Sequence, residues 1–469
     1  MIRMDLHFTT GPAKYDSLLV RTEDTAPRNV LLLMIDALRA DRSWGEQRSC
    51  RTPVLDDLRR RSTTFRNAFS VASTTPVCTA SILTGTYPFV HGIRSMPGRP
   101  LRPDLGTVAE AFKAGGYHTW AEVTGPLEPV TRLDRGFDDY RLRDHTEWLD
   151  TSFGERLLAR LRTGGPVPWF GFLHLWELHT PRRVTPEYDG PEYGRTAYDR
   201  AVSSLDPHLG RILDALGDET VVVLTGDHGE YVSESGEELV KRLKRSFRWI
   251  KKRVPVTKKL KRVTPVAFRT AGRVVQRRND LLFNWLEHGF HVYDEVVHVP
   301  LIAYGPGLFP PGRDVTDLVS HVDVFPTLVS ALGLPKADMS LVSGRDVMPY
   351  VDGRTSPESR TIYAEESGGR RLTRAPAERF EQRFAAVRTE RYKYIHGLFG
   401  ERELYDLESD PGERHNVVGK LPDVAEALRA RLFDLTAPTT DTTPEQEPSY
   451  SPEEQALVEE RLRELGYLD

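Results

Sequence analysis

Asn29-Val-Leu-Leu-Leu-Met-Ile35 runs straight into Asp36. A short continuous apolar run of this kind suits a strand buried on both faces, as in a parallel sheet. A carboxylate directly after it is unusual, because an unpaired buried charge is costly. The same pattern recurs. Pro168-Trp-Phe-Gly-Phe-Leu-His174 reads as a second buried strand. Glu219-Thr-Val-Val-Val-Leu224 reads as a third and closes on Thr225-Gly-Asp227-His228-Gly229, and Val299-Pro-Leu-Ile-Ala-Tyr304 reads as a fourth. Helical spacing between them covers Val54 to Arg61, Leu105 to Ala114 and Tyr198 to Leu216. Strands alternating with helices predict an α/β fold with a mainly parallel central sheet flanked by helices. In open sheets of this type sites lie beyond the carboxyl ends of the strands, where Asp36 and Asp227 both stand.

The C-terminal part differs. Phe384 to Ile395 and Glu403 to Leu407 read as short antiparallel strands, followed by a helix from Pro422 to Leu435, a polar linker from Thr436 to Ser451, and a last helix from Pro452 to Leu465 ending at Gly466. The expected organisation is a catalytic α/β domain over 26–385, a smaller α+β subdomain over 386–437, and a linker with a terminal helix over 438–469. Within the first lies a basic insertion of about 236–285. Between Lys241 and Arg278 there are sixteen Lys or Arg and no Asp or Glu. Leu243, Phe247, Ile250 and Val254 stand there at helical spacing, as in a basic amphipathic helix on an anionic surface. The other reading is a solvated helical insertion packed on the body.

The chain has 469 residues and a formal net charge of -4, so a globally basic nucleic-acid binder is excluded and no nucleic-acid partner is expected. Two cysteines, Cys50 and Cys78, exclude a disulfide scaffold. Met1 to Val20 carries Asp5 and Asp16 and does not read as a secretory signal. No apolar run reaches the roughly 18 residues that a membrane helix needs. The expected location is cytoplasmic, with peripheral membrane contact through 241–278 as a second reading.

Asp36, Asp227 and His228 together offer hard oxygen ligands and one imidazole, which suits one divalent cation such as Mn, Mg or Ca. Each Asp could instead cap the next helix. Ser73-Thr-Thr75-Pro76 predicts a helix start with Thr75 as N-cap and Pro76 at the first helical position. A hydroxyl there faces free N–H groups, a place that favours phosphate or sulfate, and it becomes a nucleophile if a metal lowers its pKa. The plain alternative is an ordinary cap. Three histidines lie in possible site loops: His179, His288 and His321. Each could hold oxygens or protonate a leaving group, although a lone His is more often structural. Arg39 and Asp41 read as a solvated helix start rather than as support for the site.

These residues resemble a known family, the sulfatases of the alkaline phosphatase superfamily, over about Asn29 to Leu435. The resemblance rests on Asn29 to Asp41, Leu83-Thr-Gly-Thr-Tyr-Pro-Phe-Val-His-Gly92, Arg135-Gly-Phe-Asp138, His179-Thr-Pro181, Thr225-Gly-Asp-His-Gly-Glu230, Tyr293 to Leu301, Val322 to Leu328 and Glu403 to Gly412. It implies a large α/β domain with a smaller C-terminal subdomain, and hydrolysis or transfer of sulfate or phosphate esters at a bound divalent metal. It also implies Asp36, Asp227 and His228 as metal ligands, and His288 and His179 as substrate contacts; on the present reading the cation they hold also binds the Thr75 hydroxyl, and His288 or His179 assists the leaving group. The chain departs from the pattern at the nucleophile. Sulfatases carry Cys or Ser in Cys-x-Pro-x-Arg, oxidised to formylglycine. Counting back from Leu83-Thr-Gly85 puts Thr75 there, with Val77 and Thr79 at the Pro and Arg positions. Thr at this position resembles phosphoester-cleaving and phosphotransferring relatives. A plain hydroxyl acting on a sulfate monoester would leave a stable sulfated enzyme. Ala37 stands where many sulfatases have a second Asp, and Val123 to Pro129 replaces their Lys-x-His.

The expectation is therefore a metal-dependent ester hydrolase with Thr75 as nucleophile, favouring phosphodiester or phosphonate-type esters, with a small-molecule, lipid or glycan ester as substrate. Three alternatives stay open: a sulfatase using Cys78, a phospho-head-group transferase on lipid or glycan, and a non-catalytic polyanion- or membrane-binding protein.

Overall fold

The computed structural model describes residues 28–45, 48–96, 98–163, 165–232, 288–289, 291–335, 339–354, 360–367, 384–398, 400–437 and 449–466. The basic run 241–278 and its expected insertion, like the linker residues 438–448, lie outside the described residues.

The main sheet has eight strands: β1 (Val30–Ile35), β2 (Thr63–Phe69), β3 (His118–Val123), β4 (Asp139–Leu142), β5 (Trp169–Leu175), β6 (Val221–Gly226), β7 (Leu301–Tyr304) and β8 (Arg313–Ser320). Their order is β4-β3-β5-β1-β6-β7-β2-β8. Only β7 runs antiparallel to its neighbours, β6 and β2. β1 lies between β5 and β6, with Met34 level with His174 and Thr225, and Ile35 level with Leu175 and Gly226. All six β1 side chains are buried. Because successive side chains alternate, Val30, Leu32 and Met34 join one core while Leu31, Leu33 and Ile35 join the other. This explains why the run is apolar without a break.

The helices cover both faces. α1 (Pro53–Arg60), α4 (Ser152–Thr163) and α5 (Ala197–Asp214) pack on one; α2 (Thr75–Thr84), α3 (Val108–Ala114) and α6 (Val324–Leu332) pack on the other. α3 begins later than its spacing predicts because Thr107 and Glu110 form a reciprocal capping box. All ten residues of α2 are buried. It stops at Gly85, whose φ of 67° favours glycine and where an added Cβ would lie 3.0 Å from Val342 Cγ1 and 3.2 Å from Val322 O.

The smaller sheet is antiparallel: β9 (Ile362–Glu366), β10 (Phe384–Arg388), β11 (Tyr392–Gly397) and β12 (Arg402–Asp406), in the order β12-β11-β10-β9. Its first strand precedes residue 386. α7 (Pro422–Thr436) packs Ala425, Leu428 and Leu432 into the same core as Tyr394 and Leu404. α8 (Pro452–Glu464) reaches back to the loop after β3, where Arg461 pairs with Glu128 at 3.4 Å and donates to Gly125 O at 3.3 Å. No described helix is long and apolar enough to cross a membrane.

Candidate active site

The carboxyl ends of β5, β1 and β6 adjoin, so the residues just past them meet. Past β1, Ala37 adopts a left-handed φ of 58°, which turns the chain sharply and leaves Asp36 at the sheet edge. The turn is pinned at both polar groups: Ala37 N donates to Asp227 Oδ1 at 2.9 Å, and Tyr198 Oη donates to Ala37 O at 2.6 Å. Past β6, Asp227 Oδ1 also accepts from His228 N at 2.7 Å. Ligand atoms of Asp36, Asp227 and His228 lie within 4.8 Å of one another, and all three residues are fully buried.

His228 Nδ1 is 2.8 Å from Gly229 O. A carbonyl only accepts, so Nδ1 carries the hydrogen and the Nε2 lone pair turns inward, 3.4 Å from Asp227 Oδ2. Asp36 Oδ1 and Asp227 Oδ2 have no hydrogen-bond partner among the described residues. Burial, with Asp227 beside it, pushes the Asp36 carboxyl well above the usual carboxylate range. Two orphaned carboxylate oxygens and an inward imidazole lone pair fit a divalent cation, whose charge would offset this desolvation.

α2 brings Thr75 into the same cluster. Its Oγ1 donates to Asp36 Oδ2 at 3.1 Å and stands 3.5 Å from His228 Nε2. The helix starts one residue earlier than the sequence spacing predicts. Thr74 is the extended N-cap and Thr75 the first helical residue, so the Thr75 hydroxyl turns to Asp36 instead of capping. Thr74 Oγ1 donates to Glu366 Oε1 at 3.1 Å, and Ser73 Oγ donates to Glu366 Oε2 at 2.8 Å. Cys78, one turn on, is buried in the core; its thiol donates to Ala72 O at 3.2 Å, and burial raises its pKa well above the ordinary value.

His288 lies beside the cluster, its ring 4.6 Å from that of His228 and 5.4 Å from that of His179. Its Nδ1 is 3.2 Å from Glu230 Oε2, which also takes Arg182 Nη2 at 3.4 Å. Burial alone would raise the Glu230 carboxyl, but His288 and Arg182 outweigh it and lower the group to about 2. His179 stacks on Trp176 at 3.8 Å, and burial, with His288 nearby, holds its pKa well below 6.5.

His321 takes a lower place. Its Nε2 lies 3.3 Å from Thr225 Oγ1, one row beneath Asp227, and burial lowers its pKa to about 4. Arg39 corrects the expectation of a solvated helix start. It is buried, forked onto Asp41 at 2.8 and 2.9 Å, and donates to Glu230 O at 2.8 Å, which ties it to the site. Sequence reasoning missed Glu366, and nothing local singles it out.

The family model described as "Sulfatase" matches residues 28–334, and one described as "N-sulphoglucosamine sulphohydrolase, C-terminal" matches residues 283–437. The chain is 24% identical to the Delta 4,5-hexuronate-2-O-sulfatase of Bacteroides thetaiotaomicron, covering 88% of this chain and 89% of that protein. It is 24% identical to human arylsulfatase A, covering 86% of each. Among solved structures, the phosphonate monoester hydrolase of Agrobacterium radiobacter shares the fold with a TM-score of 0.62 at 20% identity, over 91% of this chain and 100% of that one.

Proposed function

The chain belongs to the sulfatase family, and from that premise we propose that it is a metal-dependent ester hydrolase whose nucleophile is the hydroxyl of Thr75 and whose preferred esters are phosphodiesters or phosphonate monoesters. Enzymes of this family hydrolyse esters and depend on a metal; the choice of ester and of nucleophile is the proposal. The observation that carries it is the 3.1 Å hydrogen bond from Thr75 Oγ1 to Asp36 Oδ2, beside the Asp227–His228 pair.

When bound by Asp36, Asp227, His228 and the Thr75 hydroxyl, a divalent cation would lower the hydroxyl pKa and take up charge on the ester oxygens. Asp36 Oδ2 is placed to accept the Thr75 proton as Oγ1 bonds to phosphorus. The amino end of α2 directs backbone N–H groups at the charge that develops on the equatorial oxygens. As the bond to the leaving oxygen breaks, that oxygen takes a proton from His288. The Nδ1 of His288 is committed to Glu230, so the exchange falls to Nε2. Water or an acceptor alcohol then displaces the phosphoryl or phosphonyl group from Thr75. The use of Cys78 instead is disfavoured by its core burial and its bond to Ala72 O.

The test is hydrolysis of chromogenic sulfate monoester, phosphate monoester, phosphodiester and phosphonate monoester substrates with Mn2+, Mg2+ or Ca2+. Thr75→Ala and Cys78→Ala are assayed alongside. The proposal expects metal-dependent phosphodiester or phosphonate cleavage that needs Thr75. Sulfate cleavage that survives Thr75→Ala and fails in Cys78→Ala would refute it.

A further inference from the structure

We propose that Ser73 and Glu366 are positioning residues, a buried hydroxyl–carboxylate pair that sets the nucleophile Thr75 and the leaving-group acid His288 relative to each other. The inference rests on the roles given to Thr75 and His288 above.

Glu366 closes β9 in the small sheet. Its neighbour Glu365 donates its backbone N–H to Val71 O at 2.8 Å, which fastens the strand end to the chain ahead of α2. Glu366 is 3% exposed and Ser73 0%. The Glu366 carboxylate takes three donors from two consecutive residues. Oε2 accepts from Ser73 N at 3.2 Å and from Ser73 Oγ at 2.8 Å, and Oε1 accepts from Thr74 Oγ1 at 3.1 Å. Thr74 is the N-cap of α2, and a threonine there ordinarily bonds the first-turn N–H groups of its own helix. Here its side chain makes no capping bond. The hydroxyl goes to Glu366 instead, which leaves the first turn uncapped by Thr74 and open to ester oxygens.

Ser73 Oγ carries the link to the second group. It accepts from Gly289 N at 3.0 Å, and Gly289 directly follows His288. The hydroxyl has one hydrogen and two acceptors in reach, Glu366 Oε2 at 2.8 Å and His291 O at 3.1 Å. The shorter distance assigns the hydrogen to Glu366. Ser73 therefore stands two residues before Thr75 and one hydrogen bond from the residue after His288. A misplacement of about 1 Å costs a reaction about 10²-fold, so a fixed bond at this junction bears on rate and not on stability alone.

The test is steady-state kinetics of the full chain with Mn2+ on phosphonate monoesters of graded leaving-group pKa. The variants are Glu366→Ala, Glu366→Gln, Ser73→Ala, Thr74→Val and Thr75→Ala. Gln can place its carbonyl at the Oε2 position and its amide at the Oε1 position, where Thr74 Oγ1 accepts, so it keeps the geometry. Glu366→Ala should lower kcat by about 10²-fold with KM nearly unchanged, and Glu366→Gln should recover most of that loss. Ser73→Ala releases the contact to Gly289, so its loss should grow with leaving-group pKa. Thr74→Val releases only the nucleophile side, so its loss should be equal across the series. Thermal melting checks folding, and Ser73→Ala and Thr74→Val carry the test if Glu366→Ala does not fold. Wild-type kcat in the folded variants, a change in KM alone, or equal losses in Glu366→Ala and Glu366→Gln would overturn the proposal. If Thr75→Ala abolishes turnover while the Ser73 and Glu366 variants turn over as the wild type does, only this inference falls. Turnover in Thr75→Ala equal to the wild type, or a wild type inactive on every ester, overturns the functional reading as well.

Discussion

The Thr75 hydroxyl stands 3.1 Å from Asp36 Oδ2, joining the first residue of a fully buried helix to the carboxylate just past the central strand. The bond crosses the sheet–helix interface and ties the proposed nucleophile to the carboxylate. Thr75→Ala should reduce turnover by roughly 10⁴-fold or more, the scale seen when a catalytic nucleophile is removed. The two carboxylates and His228 remain, so metal stoichiometry, read by elemental analysis, should stay as in the wild type. Thr75→Ser keeps the oxygen and should retain measurable turnover. Turnover in Thr75→Ala equal to that of the wild type would remove Thr75 from the chemistry.

His288 and Glu230 act as a pair through the 3.2 Å contact at Nδ1. If Nε2 protonates the leaving oxygen, the cost of losing His288 depends on how much that oxygen needs the proton. His288→Ala should slow alkyl esters by about 10²–10⁴-fold and nitrophenyl esters far less. Glu230→Gln should show the same trend at smaller size. The measurement is a plot of log kcat/KM against leaving-group pKa, which should be steeper in both variants. Parallel lines would assign His288 to binding instead.

The strands β1 and β6 and the carboxylate just past each, Asp36 and Asp227, are legible in the sequence because each is a local pattern. An apolar run ending in Asp can be read without knowing what packs on it. Thr75 was legible through Pro76 and through its distance from Leu83-Thr-Gly85. Glu366 was not, since its partners Ser73 and Thr74 lie almost three hundred residues away and meet it only through packing of the small sheet. The left-handed turn at Ala37 was equally invisible, because Ala does not favour positive φ and the strain is held by contacts from Asp227 and Tyr198.

Glu366 also gives a pH prediction. Burial raises its carboxyl from 4.5 to about 7, against the hydrogen bonds from Ser73 and Thr74. A raised folded-state pKa means that the folded protein holds the proton more tightly. The stabilising contribution is therefore full below about pH 4.5 and is lost as pH rises through about 7. The whole swing is on the order of 3 kcal/mol. Glu366→Gln cannot titrate, so its Tm relative to the wild type should be higher at pH 8 than at pH 5.5. A difference in Tm that is constant across that range would mean that Glu366 does not titrate within it.

Gly125 offers a test of how the loop after β3 supports His179. At its φ of 74° an added Cβ would lie 2.5 Å from Trp176 Cζ3 and 2.9 Å from Cη2. Trp176 is buried and stacks on His179, so the indole has little space to yield without shifting that imidazole. Gly125→Ala therefore combines backbone strain with overpacking, each costing about 1–3 kcal/mol. Stability should fall by a few kcal/mol, and KM should rise as His179 leaves its position. The clash falls on the far edge of the six-membered ring, which phenylalanine lacks. Trp176→Phe introduced into Gly125→Ala should recover part of the lost stability, although the φ penalty remains. Thermal melting of the two single variants and the double variant measures the coupling. Additive losses would show that the Gly125 effect is backbone strain alone, and that the loop does not reach His179 through Trp176.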